Sequence, residues 1–465
     1  MSPTTFDIVV LGGGSGGYSA ALRGAQLGLS VALIERDKLG GTCLHYGCVP
    51  TKALLHVAEV ADSARNSRQY GVNASFQSID MVQVNTYRDT VVDRFYKGLQ
   101  GLVQARQVTL VNGSGRLTSP TTVSVNTIPY TATKGVVLAT GSTSRSLPGL
   151  EIGGRVISSY EALALETVPD RVIVLGGGVI GVEFASVWRS FGSDVTIIEA
   201  LPRLLPNEDV TCSQELERAF RRRGITVNLG ARFAGVTQSD TGVVVSLEDG
   251  TQLEAEILLV SVGRGPNTEG MGFIEAGVAC DRGFVLANDR LQTNVPGVYA
   301  VGDIVPGPQL AHRGFAQGIF VAEEIAGRVP PVIYEAGIPR VTYCEPEVAS
   351  VGLTQVQAAE KYGSENIDVY EYNLAGNGKA QIFGTAGFIK LVRRTAGPVV
   401  GVHMVGARVG ELIGEAQLIV NWESYPEDLA TLVHAHPTQN EAFGEALLAL
   451  AGKPFHNHAK AADHD

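Results

Sequence analysis

Two stretches of this chain repeat one another in register, and that repeat limits the possible folds more than any other feature. Leu11-Gly12-Gly13-Gly14-Ser15-Gly16-Gly17 matches Leu175-Gly176-Gly177-Gly178-Val179-Ile180-Gly181. Further along, Val31-Ala32-Leu33-Ile34-Glu35 matches Val195-Thr196-Ile197-Ile198-Glu199. Each copy reads as an apolar strand, a glycine-rich turn, a helix, a second strand and a terminal acid. That order is the pattern of a βαβ unit that holds a dinucleotide. Gly12 and Gly176 permit the tight turn, Gly14 and Gly178 let the backbone approach a pyrophosphate, and Gly17 and Gly181 let helix pack on strand. The start of the helix, including Ile180 in the second copy, then faces the phosphates. A single glycine-rich turn also serves ordinary strand-to-helix packing. Two in register, each with strand flanks and a closing acid, are far more specific.

A carboxylate at the end of the second strand accepts hydrogen bonds from an adenosine ribose, and Glu35 and Glu199 stand there. The pair favours FAD in one unit and NAD rather than NADP in the other. Arg203 is a nearby group able to hold a 2′-phosphate, but with Glu199 present a helix-cap or surface ion-pair role fits it better.

Cys43 and Cys48 sit just after the first unit, with four residues between them, in a chain of five cysteines. Thiols at that spacing can close a small reversible disulfide, whereas a fixed staple would gain little from so short a loop. Few cysteines beside a dinucleotide unit point to an intracellular setting and redox chemistry. The competing readings are a zinc site and inert buried thiols. Zinc requires four ligands, and no second Cys or Cys/His pair supplies the other half, so no metal is expected.

At 465 residues the chain has room for about two to four domains. Its 36 basic and 47 acidic residues leave a net charge of −11, which argues against nucleic acid or anionic membrane as a partner. The N-terminus leads straight into Ile8-Val9-Val10-Leu11 without the layout of a secretory signal, and no apolar run is long enough to cross a bilayer. A soluble, cytoplasmic protein is expected.

The remaining pattern divides the chain. A helical stretch from about Lys52 to Arg106 precedes short strands such as Thr121-Thr122-Val123-Ser124-Val125, which look like an insertion closing the first domain. Apolar strands ending in glycine, Val136 to Gly141 and Ile257 to Gly263, bracket the second unit and suggest that the chain leaves the first domain and returns. Val298-Tyr299-Ala300-Val301-Gly302-Asp303 is a third, and its carboxylate either holds flavin hydroxyls or caps the next helix. From Pro339 the pattern is α+β, with strands at Phe388 to Val392 and Val399 to Val405 and helices at Glu411 to Trp422 and Glu441 to Ala451. The tail with His456, His458 and His464 reads as a solvated, poorly ordered end. The expected boundaries are 1–150, 151–270, 271–336 and 337–465.

With the cysteine pair, two dinucleotide units and Gly302-Asp303 in this order, the chain resembles the flavoprotein disulfide reductases over nearly its full length. Within them it is most similar to the dihydrolipoamide dehydrogenases, through Leu310-Ala311-His312, Glu347-Val348-Ala349-Ser350-Val351-Gly352, Asn377-Gly378-Lys379-Ala380 and His434-Ala435-His436-Pro437-Thr438. The resemblance implies an α/β fold of two Rossmann-like dinucleotide-binding domains, the first discontinuous and made of 1–150 and 271–336. It implies a C-terminal α+β dimerisation domain over 337–465. FAD is expected on Gly12, Gly14, Gly17, Glu35, Thr42, Lys52, Thr140, Gly141, Asp303 and Ala311. NAD is expected on Gly176, Gly178, Ile180, Gly181, Glu183, Glu199 and Gly263.

The resemblance further implies that Cys48 lies against the flavin and Cys43 exchanges with substrate, with Lys52 paired to Glu183. A thiolate is the reacting form, and a helix start beside Lys52 would stabilise it. His436 resembles the catalytic base and Glu441 the acid that orients it, with His434 as the neighbouring rival. In this family the base reaches the cysteines of the other subunit, so a C2 homodimer is implied. The implied partner is a lipoyl-bearing acyltransferase of a 2-oxo acid dehydrogenase complex or a glycine-cleavage carrier protein, oxidised at the expense of NAD. The alternative is a reductase of glutathione or another low-molecular-weight disulfide, which would show basic residues where Glu199 lies. Mercuric reductases add a C-terminal cysteine pair, and the last cysteine here is Cys344. A purely structural subunit would have no need of Cys43, Cys48, His436 and Glu441 together. The chain departs from the common pattern at His45, Arg313 and Cys344.

Overall fold

The computed structural model describes residues 4–456. The first glycine turn joins β1 (Thr5–Leu11) to α1 (Ser15–Gln26), which leads to β2 (Val31–Glu35). Then come α2 (Gly41–His45), α3 (Cys48–Asn66), α4 (Met81–Ala105), β3 (Thr109–Asn112), β4 (Gly115–Ser119), β5 (Thr122–Val125) and β6 (Ile128–Leu138). They form a sheet in the order β3-β2-β1-β6-β5-β4, and Val298–Ala300 adds a parallel strand against the end of β6. Ile8, Val9 and Val10 are completely buried. A continuous apolar run of this kind is what a parallel strand covered on both faces requires.

The second unit repeats the arrangement. Arg171–Leu175 pairs in parallel with Asp194–Glu199 on one side and Ile257–Val260 on the other, and Thr226–Leu229 and Val156–Ile157 complete the five strands. Each glycine turn therefore lies where the strand order reverses, at the carboxyl ends of the strands, where such sheets bind ligands. Ile257–Val260 belongs to this second sheet, as the counterpart of β6. The return to the first sheet is made by Val298–Ala300. The two crossings run side by side, since Ser142–Ser144 pairs antiparallel with Arg264–Pro266.

The stretch expected to be helical from Lys52 to Arg106 is two helices. The first starts earlier, at Cys48, and Gly71 (φ +78) ends the short turn that follows it. Asp80 then caps α4 by accepting bonds from the Val82 and Gln83 N–H groups. The C-terminal part is a five-stranded antiparallel sheet, in the order Arg340–Thr342, Glu347–Gly352, Val399–Gly406, Phe388–Arg394 and Ile367–Asn373. Helices Val409–Asn421 and Glu441–Leu450 cover it through a core that includes Ala349, Leu391, Met404, Phe443 and Leu447. His456 lies within reach of Glu445, 2.7 Å away; the expectation for His458 and His464 falls outside the described residues. Among the described residues no helix is long and apolar enough to cross a membrane, and no cluster of His, Cys, Asp and Glu could hold a metal ion.

One residue ties the three parts together. The Arg223 guanidinium donates to Ser186 and Ser190 on helix Val179–Phe191, to the Glu345 carbonyl of the C-terminal part, and pairs with Asp62 of α3 at 3.3 Å. Helix α3, which begins at Cys48, is thereby held against both of the other units.

Candidate active site

Cys43 lies on the short helix α2 and Cys48 is the first residue of the 19-residue α3. Both are free thiols in this structure, Cys43 half-buried and Cys48 exposed. The Cys43 thiol donates a hydrogen bond to Cys48, and that bond brings Cys48 down to about 7. The protein packed around Cys48 works against ionisation, while the Lys52 ammonium and the backbone N–H at the helix start favour it. Cys43, as the donor, is pushed up by the same bond and by burial. Near neutral pH the pair is therefore unequal, with Cys43 keeping its proton and Cys48 the readier of the two to ionise.

Lys52 stands one turn further along α3. Its Nζ is 2.8 Å from both carboxylate oxygens of Glu183, which is almost fully buried on helix Val179–Phe191. Burial alone would lower the lysine pKa, but Glu183 outweighs it and the group stays charged. Tyr343 closes the arrangement. Its N–H donates to Glu183 at 3.0 Å and its ring centroid lies 4.8 Å from Nζ. Sequence reasoning missed Tyr343 because it comes from the C-terminal part, far along the chain.

The two cradles match in detail. A Cβ on Gly12 would sit 2.3 Å from the Ala139 carbonyl oxygen, and one on Gly176 2.5 Å from that of Ser261, so these turns admit only glycine. Around Gly14 and Gly178, by contrast, nothing lies within 4 Å of the added carbon. Both are extended residues at the head of a helix, so each cradle presents free N–H groups beside a space that any side chain would fill. Ile180 stands in the first turn of the second of these helices. Glu35 accepts from Gly13 N–H at 2.6 Å and Glu199 from Gly177 N–H at 2.6 Å, and each also accepts from the amide two residues on. Each carboxylate is thus fixed at the rim of its cradle, with lone pairs left for ribose hydroxyls. These features fit a dinucleotide in both places. Arg203 donates to the Pro206 carbonyl at 2.6 Å, a bond to its own loop.

Asp303 does not cap the next helix, which starts eight residues later at Ala311 with Leu310 before it. Instead it accepts a bond from Ser142 Oγ at 2.6 Å, and Arg264 donates to the same hydroxyl at 2.8 Å. Arg264 follows directly on Gly263 and senses the charge of both Asp303 and Cys48. It was not singled out from the sequence, although it adjoins a glycine that was. Thr140 donates to the Asn267 carbonyl at 2.6 Å, and the Gly141 carbonyl accepts from Asn267 N–H at 2.8 Å. Ala311 opens a helix whose Gly318 meets Gly16 so closely that a Cβ would lie 2.2 Å from the Gly16 carbonyl oxygen. Thr42 is exposed on α2 beside Cys43.

His436 and Glu441 form a separate pair on the C-terminal part. His436 Nδ1 is 2.7 Å from Glu441 Oε1, and the other oxygen accepts from Thr438 N–H at 2.8 Å. The His436 side chain is 78% exposed while that of His434 is 13% exposed and paired with Glu415. Of the two, His436 is the one open to a molecule from outside. No hydrogen bond among the described residues joins it to the cysteines of its own chain. The three departures from the family pattern each have partners: His45 bonds the Leu39 carbonyl, Arg313 pairs with Glu335 and Cys344 donates to the Pro346 carbonyl.

The family model described as pyridine nucleotide-disulphide oxidoreductase matches residues 6–318, and its dimerisation domain matches residues 338–447. The chain is 40% identical to the dihydrolipoyl dehydrogenase of Bacillus subtilis, over 97% of this chain and 99% of that one. It is 41% identical to the dihydrolipoyl dehydrogenase of Chlorobaculum tepidum, over 95% and 96%. Among solved structures it is similar to LpdA from Mycobacterium tuberculosis, with a TM-score of 0.88 and 27% identity over 96% of this chain and all of that one.

Proposed function

We infer that the chain, which belongs to the pyridine nucleotide-disulphide oxidoreductase family, acts as a dihydrolipoyl dehydrogenase. The observation that carries the reading is Cys48 at the head of α3, bonded by Cys43 and backed by the Lys52–Glu183 pair. The dimerisation domain makes the working unit a homodimer. His436, exposed and held by Glu441, is assigned to the active site of the other subunit.

In the oxidised resting pair, Cys43 and Cys48 are joined. His436 of the partner subunit takes a proton from one dihydrolipoyl thiol, and the thiolate attacks Cys43 Sγ. The Cys43–Cys48 bond breaks, and Cys48 leaves as the thiolate that its surroundings already favour. His436 releases that first proton to solvent and takes the proton of the second lipoyl thiol, whose thiolate then displaces Cys43, and Cys43 recovers this proton from His436. One dithiol has become a disulfide and one cysteine pair has gained two electrons. When bound, FAD and NAD supply the two-electron relay that reoxidises the pair and forms NADH. Lys52 and Glu183 hold fixed charge beside Cys48 throughout, and Glu35, Asp303 and Glu199 fix the bound nucleotides.

The reading assigns 1–150 and 271–336 to the FAD unit, 151–270 to the NAD unit and 337–465 to the dimerisation unit, supported by the separate sheets. Its substrate is a lipoyl group on an acyltransferase or a glycine-cleavage carrier, supported by the similarity to dihydrolipoyl dehydrogenases. A reductase of another small disulfide is disfavoured by Glu199 at the nucleotide rim and by the engagement of Arg203 with its own loop. Cys43→Ser is expected to abolish lipoamide turnover while leaving NADH-to-quinone turnover, which requires no dithiol. Full lipoamide activity in that variant would overturn the assignment.

A further inference from the structure

The mechanism uses His436 and leaves His434 unexplained, although the two stand in one motif. His434 Nε2 is 2.8 Å from Glu415 Oε1, and Asn440 Nδ2 donates to the other oxygen of Glu415 at 2.5 Å. Glu415 belongs to helix Val409–Asn421, packed on the C-terminal sheet. One carboxylate thus grips both ends of the segment 434–440, which carries His436 at its exposed crest. Two more bonds pin the middle: Asn377 to the Thr438 carbonyl at 3.0 Å and Gln439 to the Ala407 carbonyl at 2.7 Å. The His434 ring also lies flush against the helix that Glu441 begins. A Cβ on Gly444, one turn beyond Glu441, would come within 2.9 Å of His434 Nδ1.

We propose that His434, Glu415 and Asn440 form an inner clamp beneath the His436–Glu441 pair, and that this clamp aims His436 and keeps Glu441 in place as its acceptor. The inference rests on the reading of His436 as the base. His434 is a positioning residue, since it touches neither substrate nor cofactor.

The charge argument follows from what surrounds the ring. The titratable groups facing His434 are Glu415 from helix Val409–Asn421 and Glu441 from helix Glu441–Leu450. Glu415 holds His434 above the ordinary histidine range, against its burial. A positive His434 favours the ionised form of Glu441, which keeps that carboxylate an acceptor for His436 Nδ1–H and leaves Nε2 to receive the substrate proton.

The test is kcat and KM for dihydrolipoamide in the FAD-loaded dimer. His434→Gln is expected to lower kcat about tenfold at an unchanged KM, the signature of a misplaced base, and Glu415→Gln, which loosens the same grip, to lower kcat in the same way. Bound flavin and sedimentation as a dimer report whether each variant is folded, and Glu415→Gln stands in if His434→Gln fails to fold. A parent-like kcat in folded His434→Gln, or in Glu415→Gln where that variant stands in, overturns the clamp while His436→Gln still loses lipoamide turnover. If His436→Gln keeps the parent's turnover, the base assignment falls and the clamp with it.

Discussion

Replacing Lys390 by methionine tests the joint between the NAD unit and the C-terminal sheet. Lys390 Nζ lies 2.8 Å from Asp209 Oδ1 and 2.9 Å from Thr211 Oγ1, with both charged side chains almost completely buried. Asp209 caps helix Val210–Arg222 through Thr211 N–H and accepts from Gln355 N–H at 3.0 Å, so its carboxylate serves two parts of the molecule. Methionine keeps the length of the lysine but leaves that carboxylate buried with only its amide donors. Breaking a buried pair at one end costs about 3–5 kcal/mol, and the surviving amide bonds place this case near the lower end, about 3–4 kcal/mol. At roughly 2 °C per kcal/mol for a long chain, the unfolding midpoint should fall by about 6–8 °C. The double variant Lys390→Met, Asp209→Asn no longer buries an orphan charge and should recover about 1–2 kcal/mol of the loss. Acid supplies a second arm. Burial raises the Asp209 pKa, but His403, Lys390 and the Gln355 amide outweigh it and hold the group at about 2, below the ordinary 3.8. Because the folded value is depressed, the stabilisation is fully present above pH 3.8 and is lost as pH falls toward 2, a change of roughly 2.5 kcal/mol. Urea and thermal melts at pH 7 and through that acid window check both arms. A single variant within about 1 kcal/mol of the parent, or a double variant worse than the sum of the two singles, would refute the reasoning.

Lys52→Met should raise the Cys48 pKa from about 7 by roughly one unit, read as the pH dependence of thiol alkylation in the reduced protein; an unchanged profile would remove Lys52 from the stabilisation of the thiolate. Gly178→Ala and Gly176→Ala should separate binding from folding. The first adds a methyl in open space at an ordinary φ of −77, so the melting midpoint should hold while the KM for NADH rises about tenfold or more. The second forces a left-handed φ of +111 and a contact of 2.5 Å, so it should destabilise the NAD unit itself, and equal behaviour of the two variants would contradict the assignment of turn and cradle.

The dinucleotide cradles were the most legible part of the chain because their chemistry is local. A tight turn, a close helix approach and a terminal acid are read within thirty-odd residues, and the matched bonds of Glu35 and Glu199 show the repeat surviving in three dimensions. Lys52 and Glu183 were legible only through family resemblance, since they lie on different units and nothing in their spacing joins them. The choice between His434 and His436 also depended on burial, which adjacent positions of one motif cannot reveal. Ile257–Val260 lies in the second sheet, inside the bounds 151–270 expected for that unit, although its own sequence looks the same whichever sheet it pairs with. Arg223, Tyr343 and Lys390 had no local signal at all, because each matters through partners far along the chain.

The central claim is that this site moves electrons from a dithiol to NAD. Purified protein assayed without oxygen, with free dihydrolipoamide and either NAD or NADP, and in parallel with oxidised glutathione and NADH or NADPH, tests it most directly. The account predicts rapid NADH formation with little NADPH and no glutathione reduction. Turnover of glutathione with NADPH alone would contradict it, leaving the fold and the cysteine pair but removing the substrate and the part given to Glu199.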